Sequence, residues 1–217
     1  MKKSLGFPLL LVLCSFGASA QSFTWGLKAG WSASNFRAAD HAFTGKKDNL
    51  IYPDGFVHGL TAGVEVGYRM SDRFRVLSAM QYAHKGHPIT ISLPAGGRED
   101  GIQHFHYLDM NVVGDVRIIK GLSIQCGVQP SLLLDARTVS ETQNFNTEEF
   151  FNIYKSLDVG LLAGIQYDFG THIYAQARWV QGLAPILSVE FTDETGQTVD
   201  AANFYNQNLQ ITAGYRF

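Results

Sequence analysis

Residues 205–217, YNQNLQITAGYRF, decide the fold because their side chains alternate between apolar and polar. Successive side chains of an extended strand point to opposite faces, so the two sets lie on opposite sides of a ribbon. One side carries Leu209, Ile211, Ala213, Tyr215 and Phe217, and the other carries Asn208, Gln210, Thr212, Gly214 and Arg216. The stretch therefore predicts a β-strand with one apolar and one polar face.

The same alternation recurs in seven earlier segments, which predicts eight strands in all. These segments begin near Phe23, Leu60, Phe74, Leu108, Leu122, Leu157 and Ile173. The segment from Phe74 is the least regular, because Leu77 and Ala79 fall on its polar face. Glycine is abundant, charge is sparse and no long helical period appears, a composition typical of an all-β domain.

Long and short connections alternate strictly between the predicted strands. The long connections are residues 37–56, 86–104, 135–150 and 184–205, and the tight ones are residues 70–73, 118–121 and 170–172. Bacterial outer-membrane barrels have an even number of antiparallel strands, long outer loops and short periplasmic turns. The alternation of long and short connections therefore predicts one domain, residues 21–217, folded as an eight-stranded antiparallel up-and-down transmembrane β-barrel with periplasmic termini.

Aromatic side chains gather near both ends of the predicted strands, which is typical of the two interfaces of a membrane protein. One belt comprises Phe23, Trp25, Tyr68, Phe74, Tyr167, Phe169, Tyr215 and Phe217, and the other comprises Tyr82, Tyr107, Tyr154 and Trp179. A soluble lipocalin-like barrel shows the same alternation with its faces reversed. Because the apolar face carries no charge over many strands, we favour the orientation in which it meets lipid.

The first 20 residues have the pattern of an export signal. Lys2 and Lys3 precede an apolar stretch, and Ala18 and Ala20 provide small residues for cleavage. A lipoprotein signal at Cys14 is the alternative. Without Lys2 and Lys3 the formal charge changes from −2 to −4, which gives no electrostatic basis for nucleic-acid binding. We expect a mature chain from residue 21 in the outer membrane of a Gram-negative envelope.

Several segments, taken in order, resemble the PorT-like family of outer-membrane β-barrel domains. They are GLKAGWSASNF (26–36), QYAHKG (81–86), YLDMNVVGDVRI (107–118), GVQPSLLLDAR (127–137), LDVGLLAGIQYDF (157–169), ARWVQGL (177–183) and ITAGYRF (211–217). The resemblance implies an eight-stranded outer-membrane barrel. It also implies a link to a protein-secretion apparatus, since PorT itself is tied to one.

The polar faces of the strands carry charges of both signs in near balance. The predicted lumen network is Lys28, Glu65, Arg69, Arg75, Asp109, Asp115, Arg117, Asp158, Asp168, Arg178 and Arg216. The lumen of a barrel with about eight strands is just wide enough for side chains to fill it. We therefore predict a plug of paired charges, since unpaired buried charge is costly. The alternative is a narrow ion or proton path.

Four histidines flank the predicted connection at residues 86–104, and they are the only weak candidates for a metal site. His84 and His87 end one strand, and His104 and His106 begin the next. Imidazole is a common ligand of zinc, copper and nickel. Because the spacing matches no strong zinc site, solvated histidines at the rim are the favoured interpretation. No cofactor is expected.

These patterns favour a non-enzymatic structural or interaction protein, accessory to protein secretion or surface assembly. A small-solute or ion pore is the alternative, and a lipid-modifying enzyme at the outer rim is the third class. No G-x-S-x-G elbow or nucleotide motif is present. Outer-membrane lipids and envelope or secretion-apparatus proteins are the expected partners, and the oligomeric state is left open. Hairpins around Ile89 and Val189 offer edges for strand pairing, although polar surface loops are the favoured interpretation there.

Overall fold

The computed structural model describes residues 23–38, 50–51, 55–92, 98–140, 154–192 and 198–217. The predicted export signal and Cys14 lie outside the described residues. In the described parts, no helix is long and apolar enough to cross a membrane. The described residues form ten strands: β1 Phe23–Ala38, β2 Leu50–Ile51, β3 Val57–Arg69, β4 Phe74–Ser92, β5 Arg98–Ile119, β6 Leu122–Ser140, β7 Leu157–Phe169, β8 Ile173–Gly182, β9 Leu187–Thr192 and β10 Thr198–Arg216.

Eight of these strands form a closed antiparallel ring in the order β1-β3-β4-β5-β6-β7-β8-β10. The ring closes because β10 pairs with β1, from Gly26 opposite Arg216 to Ala38 opposite Phe204. The predicted eight-stranded antiparallel barrel is therefore confirmed. β2 pairs with β4 and β9 pairs with β10 outside this ring. Closure matters because it leaves no unpaired strand edge within the ring.

The strands extend well beyond the predicted segments at one end of the barrel. β4 and β5 stay paired from Phe74 opposite Val116 to Ser92 opposite Arg98. The predicted long connection at residues 86–104 is thus mostly a hairpin, and most of residues 184–205 belongs to the β9–β10 hairpin. The prediction was too short because backbone pairing outside a membrane does not require alternating apolar side chains. We call this end of the barrel the loop end.

The opposite end, which we call the turn end, carries the three predicted tight turns. Gly121 and Gly170 occupy the β5–β6 and β7–β8 turns with φ of 84° and 91°. Glycine adopts this left-handed region without the steric penalty of a Cβ atom. In the β3–β4 turn, the backbone N–H groups of Met70 and Ser71 both donate to the carbonyl of Phe74. These connections agree with the predicted short turns.

The two faces of the ring differ as predicted. Apolar side chains such as Leu60 and Ile165 are exposed on the outside, whereas polar and charged side chains are buried in the interior. Tyr107 and Tyr154 are exceptions to the predicted outer belt, because both are buried. Tyr107 shares the parity of Asp109 on β5, so it faces the interior. Strand parity overrides the preference of tyrosine for an interface.

Candidate functional site

The candidate site is the polar interior of the barrel, and its largest part is a network in the turn-end half. We call it the turn-end network; its charged members are Lys28, Glu65, Arg75, Asp115, Asp168, Arg178 and Arg216. Glu65 accepts from Lys28 at 3.5 Å and from Arg178 at 3.4 Å. Arg75 bridges Asp115 at 2.9 Å and Asp168 at 3.1 Å. Opposite charges on different strands therefore meet across the lumen.

Glutamine side chains connect these ion pairs into one network. The amide of Gln176 donates to Glu65 at 3.1 Å and to Gln166 at 2.8 Å. Gln125 donates to Gln166 at 2.9 Å and to Asp115 at 3.0 Å. Sequence reasoning considered only charged residues and missed the glutamines. Their signal was available, because Gln166 and Gln176 share the strand parity of predicted charges and Gln125 lies on the polar face of its own alternating segment.

A second polar group lies towards the loop end. The ammonium of Lys85 contacts Asp109 at 2.9 Å, and Gln129 donates to the other carboxylate oxygen at 3.0 Å. Asn206 donates to Asp158 at 2.8 Å. Lys85 is absent from the predicted lumen set, although its parity on β4 matches that of Arg75. The structure shows that it balances the charge of Asp109.

Apolar side chains also fill the interior, which the sequence-based network does not include. One buried cluster crosses the barrel and consists of Leu77, Val113, Leu162 and Val180. The other, which we call the loop-end cluster, consists of Phe105, Tyr107, Leu133, Ala136, Tyr154, Leu187 and Phe204, with Phe36 packed against it. The parity irregularity noted at Leu77 therefore marks an apolar layer between polar groups.

Arg69 and Arg117 of the predicted set stand apart from the ion pairs. Both lie at the turn end, where Arg69 is exposed and Arg117 is half-buried. Neither forms a salt bridge with a residue that the structure describes. The Nε atom of Arg117 is buried without a hydrogen-bond partner. These arginines leave an excess of positive charge at this end of the lumen.

Three of the four candidate histidines come together on the outside of the barrel. His84 Nε2 lies 3.0 Å from His104 Nδ1, and the rings of His84 and His106 stack at 5.2 Å. Burial and the neighbouring His106 lower the pKa of His104. The Tyr82 hydroxyl is hydrogen-bonded to His106. No group of three His, Cys, Asp or Glu suited to a metal ion occurs in the described part of the chain.

His87, the fourth candidate, lies neither beside the other three nor solvated at the rim, so the rim interpretation was wrong for this residue. His87 is three residues from His84 on a regular strand, so the two side chains point to opposite faces. His87 is buried inside, where its ring stacks on Phe36 with centroids 3.8 Å apart. Burial lowers its pKa to about 3. His87 thus belongs to the interior packing of the loop end and is neutral near pH 7.

The closed ring with an apolar exterior and a polar interior is the geometry of an outer-membrane barrel. Residues 19–188 match the family described as outer membrane protein beta-barrel domain. The chain belongs to this family. Membership implies that this barrel resides in the outer membrane. A comparison with curated proteins gave no significant match.

Solved outer-membrane barrels resemble the chain in structure. Neisserial surface protein A is 14% identical, with a TM-score of 0.51 and coverage of 89% of this chain and 97% of that chain. OprG from Pseudomonas aeruginosa is 12% identical, with a TM-score of 0.47 and coverage of 90% and 96%. Ail of Yersinia pestis is 14% identical, with a TM-score of 0.45 and coverage of 90% and 99%. The first likeness supports the fold of this outer-membrane barrel.

Proposed function

We propose that this outer-membrane barrel is a non-enzymatic interaction protein with a closed lumen, related to the PorT-like family. Its partners are envelope proteins, including components of a secretion or surface-assembly apparatus. The observation that carries the proposal is the filling of the lumen by paired polar groups and apolar clusters. A barrel of this kind supports binding at its ends and does not offer a route through its centre.

The packing of the interior supports a closed lumen. Arg178, which belongs to the turn-end network, is only 1% exposed. Val113 and Tyr107, which lie nearer the loop end, are fully buried. Moving a solute past these layers would separate buried charges from their partners, and breaking one such pair costs about 3–5 kcal/mol. The loop-end cluster adds an apolar layer that an ion would have to cross without hydration.

The β9–β10 hairpin supports a role in binding at the loop end. Leu187 of β9 and Phe204 of β10 pack in the loop-end cluster, so the base of the hairpin is anchored to the barrel. Within the described residues, β9 pairs with β10 alone. An unpaired strand edge binds an extended segment of another protein through main-chain hydrogen bonds. We assign the partner interface to this edge.

Conductance across planar bilayers tests the closed lumen. We expect no steady, reproducible steps from the purified barrel at any voltage that leaves the bilayer intact. A porin with a water-filled lumen, recorded in the same bilayers, is the positive control. Reproducible steps from the natural protein would overturn the closed lumen and favour the alternative of a small-solute or ion pore.

Site-specific photocrosslinking tests the interface in intact cells. A photoreactive side chain at Ser188, an exposed position on β9, should capture one or a few envelope proteins. The same group at Asp72, exposed in the β3–β4 turn, is the control at the opposite end. Absence of any product specific to Ser188 would contradict the assignment. Lipid A and phospholipid profiles should stay unchanged on expression; altered profiles would instead indicate an enzyme.

A further inference from the structure

A cavity of about 340 Å³ opens at the turn end of the lumen. Four arginines line it, namely Arg69, Arg75, Arg117 and Arg216, and Asp168 is the single carboxylate in its lining. At about 30 Å³ per water molecule, the cavity has room for on the order of ten waters. Its lining therefore combines a large excess of guanidinium donors with space for a small ligand.

The acidic groups nearby are already engaged. Asp168 accepts from Arg75 at 3.1 Å and from Arg216 at 2.9 Å. Asp115 accepts from Arg75 through both Nε and Nη2 at 2.9 Å. Neither carboxylate is left to balance Arg69 or Arg117. The charge of the cavity therefore exceeds what the described residues neutralise.

Donors that line the cavity lack acceptors. Arg216 is only 8% exposed, yet its Nη2 atom has no hydrogen-bond partner and lies 4.0 Å from Glu65. The buried Nε atom of Arg117 has no acceptor either. A buried donor without an acceptor is energetically costly, and a guanidinium more so than a neutral group. An anion that accepts from both arginines would remove this cost.

A neighbouring cavity of about 510 Å³ shares part of this lining. It shares Arg117 and Asp168 with the first cavity, and it adds Lys120 together with Tyr167 and Phe169. The two aromatic side chains are exposed on the lipid-facing side. Arg117 is thus placed between the mouth of the lumen and the level at which lipid headgroups lie.

We propose that these adjacent cavities form a phosphate-binding site at the turn end, with Arg117 and Arg216 as its principal donors. Guanidinium groups match the oxygens of phosphate in charge and in planar, bidentate geometry. Because the short turns of outer-membrane barrels face the periplasm, the site is open to that compartment. Its ligand is a phosphate group, supplied either as a free phosphate or by a phospholipid headgroup of the inner leaflet.

Titration calorimetry on the detergent-solubilised full chain, with its lipids removed, tests the site. The probes are inorganic phosphate and a short-chain phosphatidylglycerol, with a short-chain lipid lacking phosphate as the blank. We expect saturable binding by the natural protein and a loss of affinity of about tenfold or more in Arg117→Gln, the size of one charge-assisted hydrogen bond. Arg73→Gln, on the adjacent turn but outside both cavities, should bind like the natural protein.

The two probes distinguish the sources of phosphate. Saturation by inorganic phosphate assigns the site to free phosphate, and binding of phosphatidylglycerol alone assigns it to a headgroup. Failure of both probes to bind saturably, or unchanged affinity in Arg117→Gln, would overturn the proposal. The folded state of each variant is checked by its heat-dependent gel mobility. If Arg117→Gln does not fold, Arg69→Gln is measured in its place, with a reduced affinity expected.

Discussion

The ammonium of Lys85 lies 2.9 Å from a carboxylate oxygen of Asp109 and 4.4 Å from the centre of the Tyr107 ring. Both charged side chains are almost completely buried, at 2% and 0% exposure. Charges in such an environment are stabilised by each other and by nearby dipoles instead of by water. The pair spans β4 and β5 at the boundary between the polar interior and the loop-end cluster.

Removing one member of this pair should destabilise the barrel strongly. We expect Lys85→Met to lower the free energy of unfolding by about 3–5 kcal/mol, because Asp109 is left buried without a counter-charge. Denaturant unfolding in detergent micelles provides the measurement. Arg137→Gln, which breaks an exposed ion pair with Asp135, should cost about 0–1 kcal/mol. Equal losses of unfolding free energy in the two variants would contradict the prediction that the buried ion pair contributes more than the exposed one.

A glycine on β10 makes room for a buried aromatic ring. A Cβ atom at Gly214 would lie 2.2 Å from the Tyr174 ring, whereas one at Gly114 would meet nothing closer than 3.6 Å. We therefore expect Gly214→Ala to cost about 1–3 kcal/mol through overpacking, and Gly114→Ala to be tolerated. The same unfolding measurement compares the two strand glycines. A neutral Gly214→Ala would show that Tyr174 moves freely.

The buried His87 should make the barrel less stable in acid. The unfolded chain takes up a proton on His87 below about pH 6.5, whereas the folded chain does so only near its pKa of about 3. The free energy of unfolding therefore falls by about 1.4 kcal/mol per pH unit as the pH is lowered from about 6.5 towards 3, because only the unfolded chain binds a proton at His87. His87→Leu should consequently lose less stability than the natural protein between pH 7.5 and 4.5.

Unfolding free energies at these two pH values measure the effect. Thr138→Val, at a buried position without a titratable side chain, is the control and should show the same pH difference as the natural protein. An identical pH difference in His87→Leu and the natural protein would show that His87 takes up its proton equally in both states.

All three tryptophans of the chain should report on lipid. Trp25, Trp31 and Trp179 are exposed on the apolar face by 49%, 37% and 38%. In vesicles, we expect lipids brominated near the headgroup to quench their fluorescence more than lipids brominated at the chain end. Trp25 and Trp179 belong to the two interfacial belts, and Trp31 lines the same surface pocket as Tyr82 of the outer belt. Fluorescence that no brominated lipid quenches would mean that the apolar face does not meet the bilayer.

Much of the barrel could be predicted from the sequence because strand periodicity is local. Alternation along residues 205–217 placed Gln210 and Arg216 on one face, and the structure buries both. The same rule places His84 and His87 on opposite faces, so the alternation alone separates His87 from the other three candidate histidines. Strand ends at the loop side were harder to predict, because pairing there continues without an apolar exterior.

The partners inside the lumen could not be predicted, because they depend on how eight strands close. Gln81 contacts Gln210 at 3.0 Å, although the two residues are 129 positions apart. Nothing in either local sequence indicates that β4 and β10 face each other across the barrel. The unengaged donors of Arg117 and Arg216 likewise become apparent only in the folded barrel, where the partners of the other interior side chains are known.

The sequence by itself determined the number of strands in the ring, the alternation of faces and the polar side of each strand, since these follow from a two-residue repeat. Only the tertiary structure decided which charges neutralise each other, where apolar layers interrupt them and where positive charge is left over. The physical reason is that ion pairing and packing act over a few ångströms in space, and ring closure brings together residues far apart in the chain.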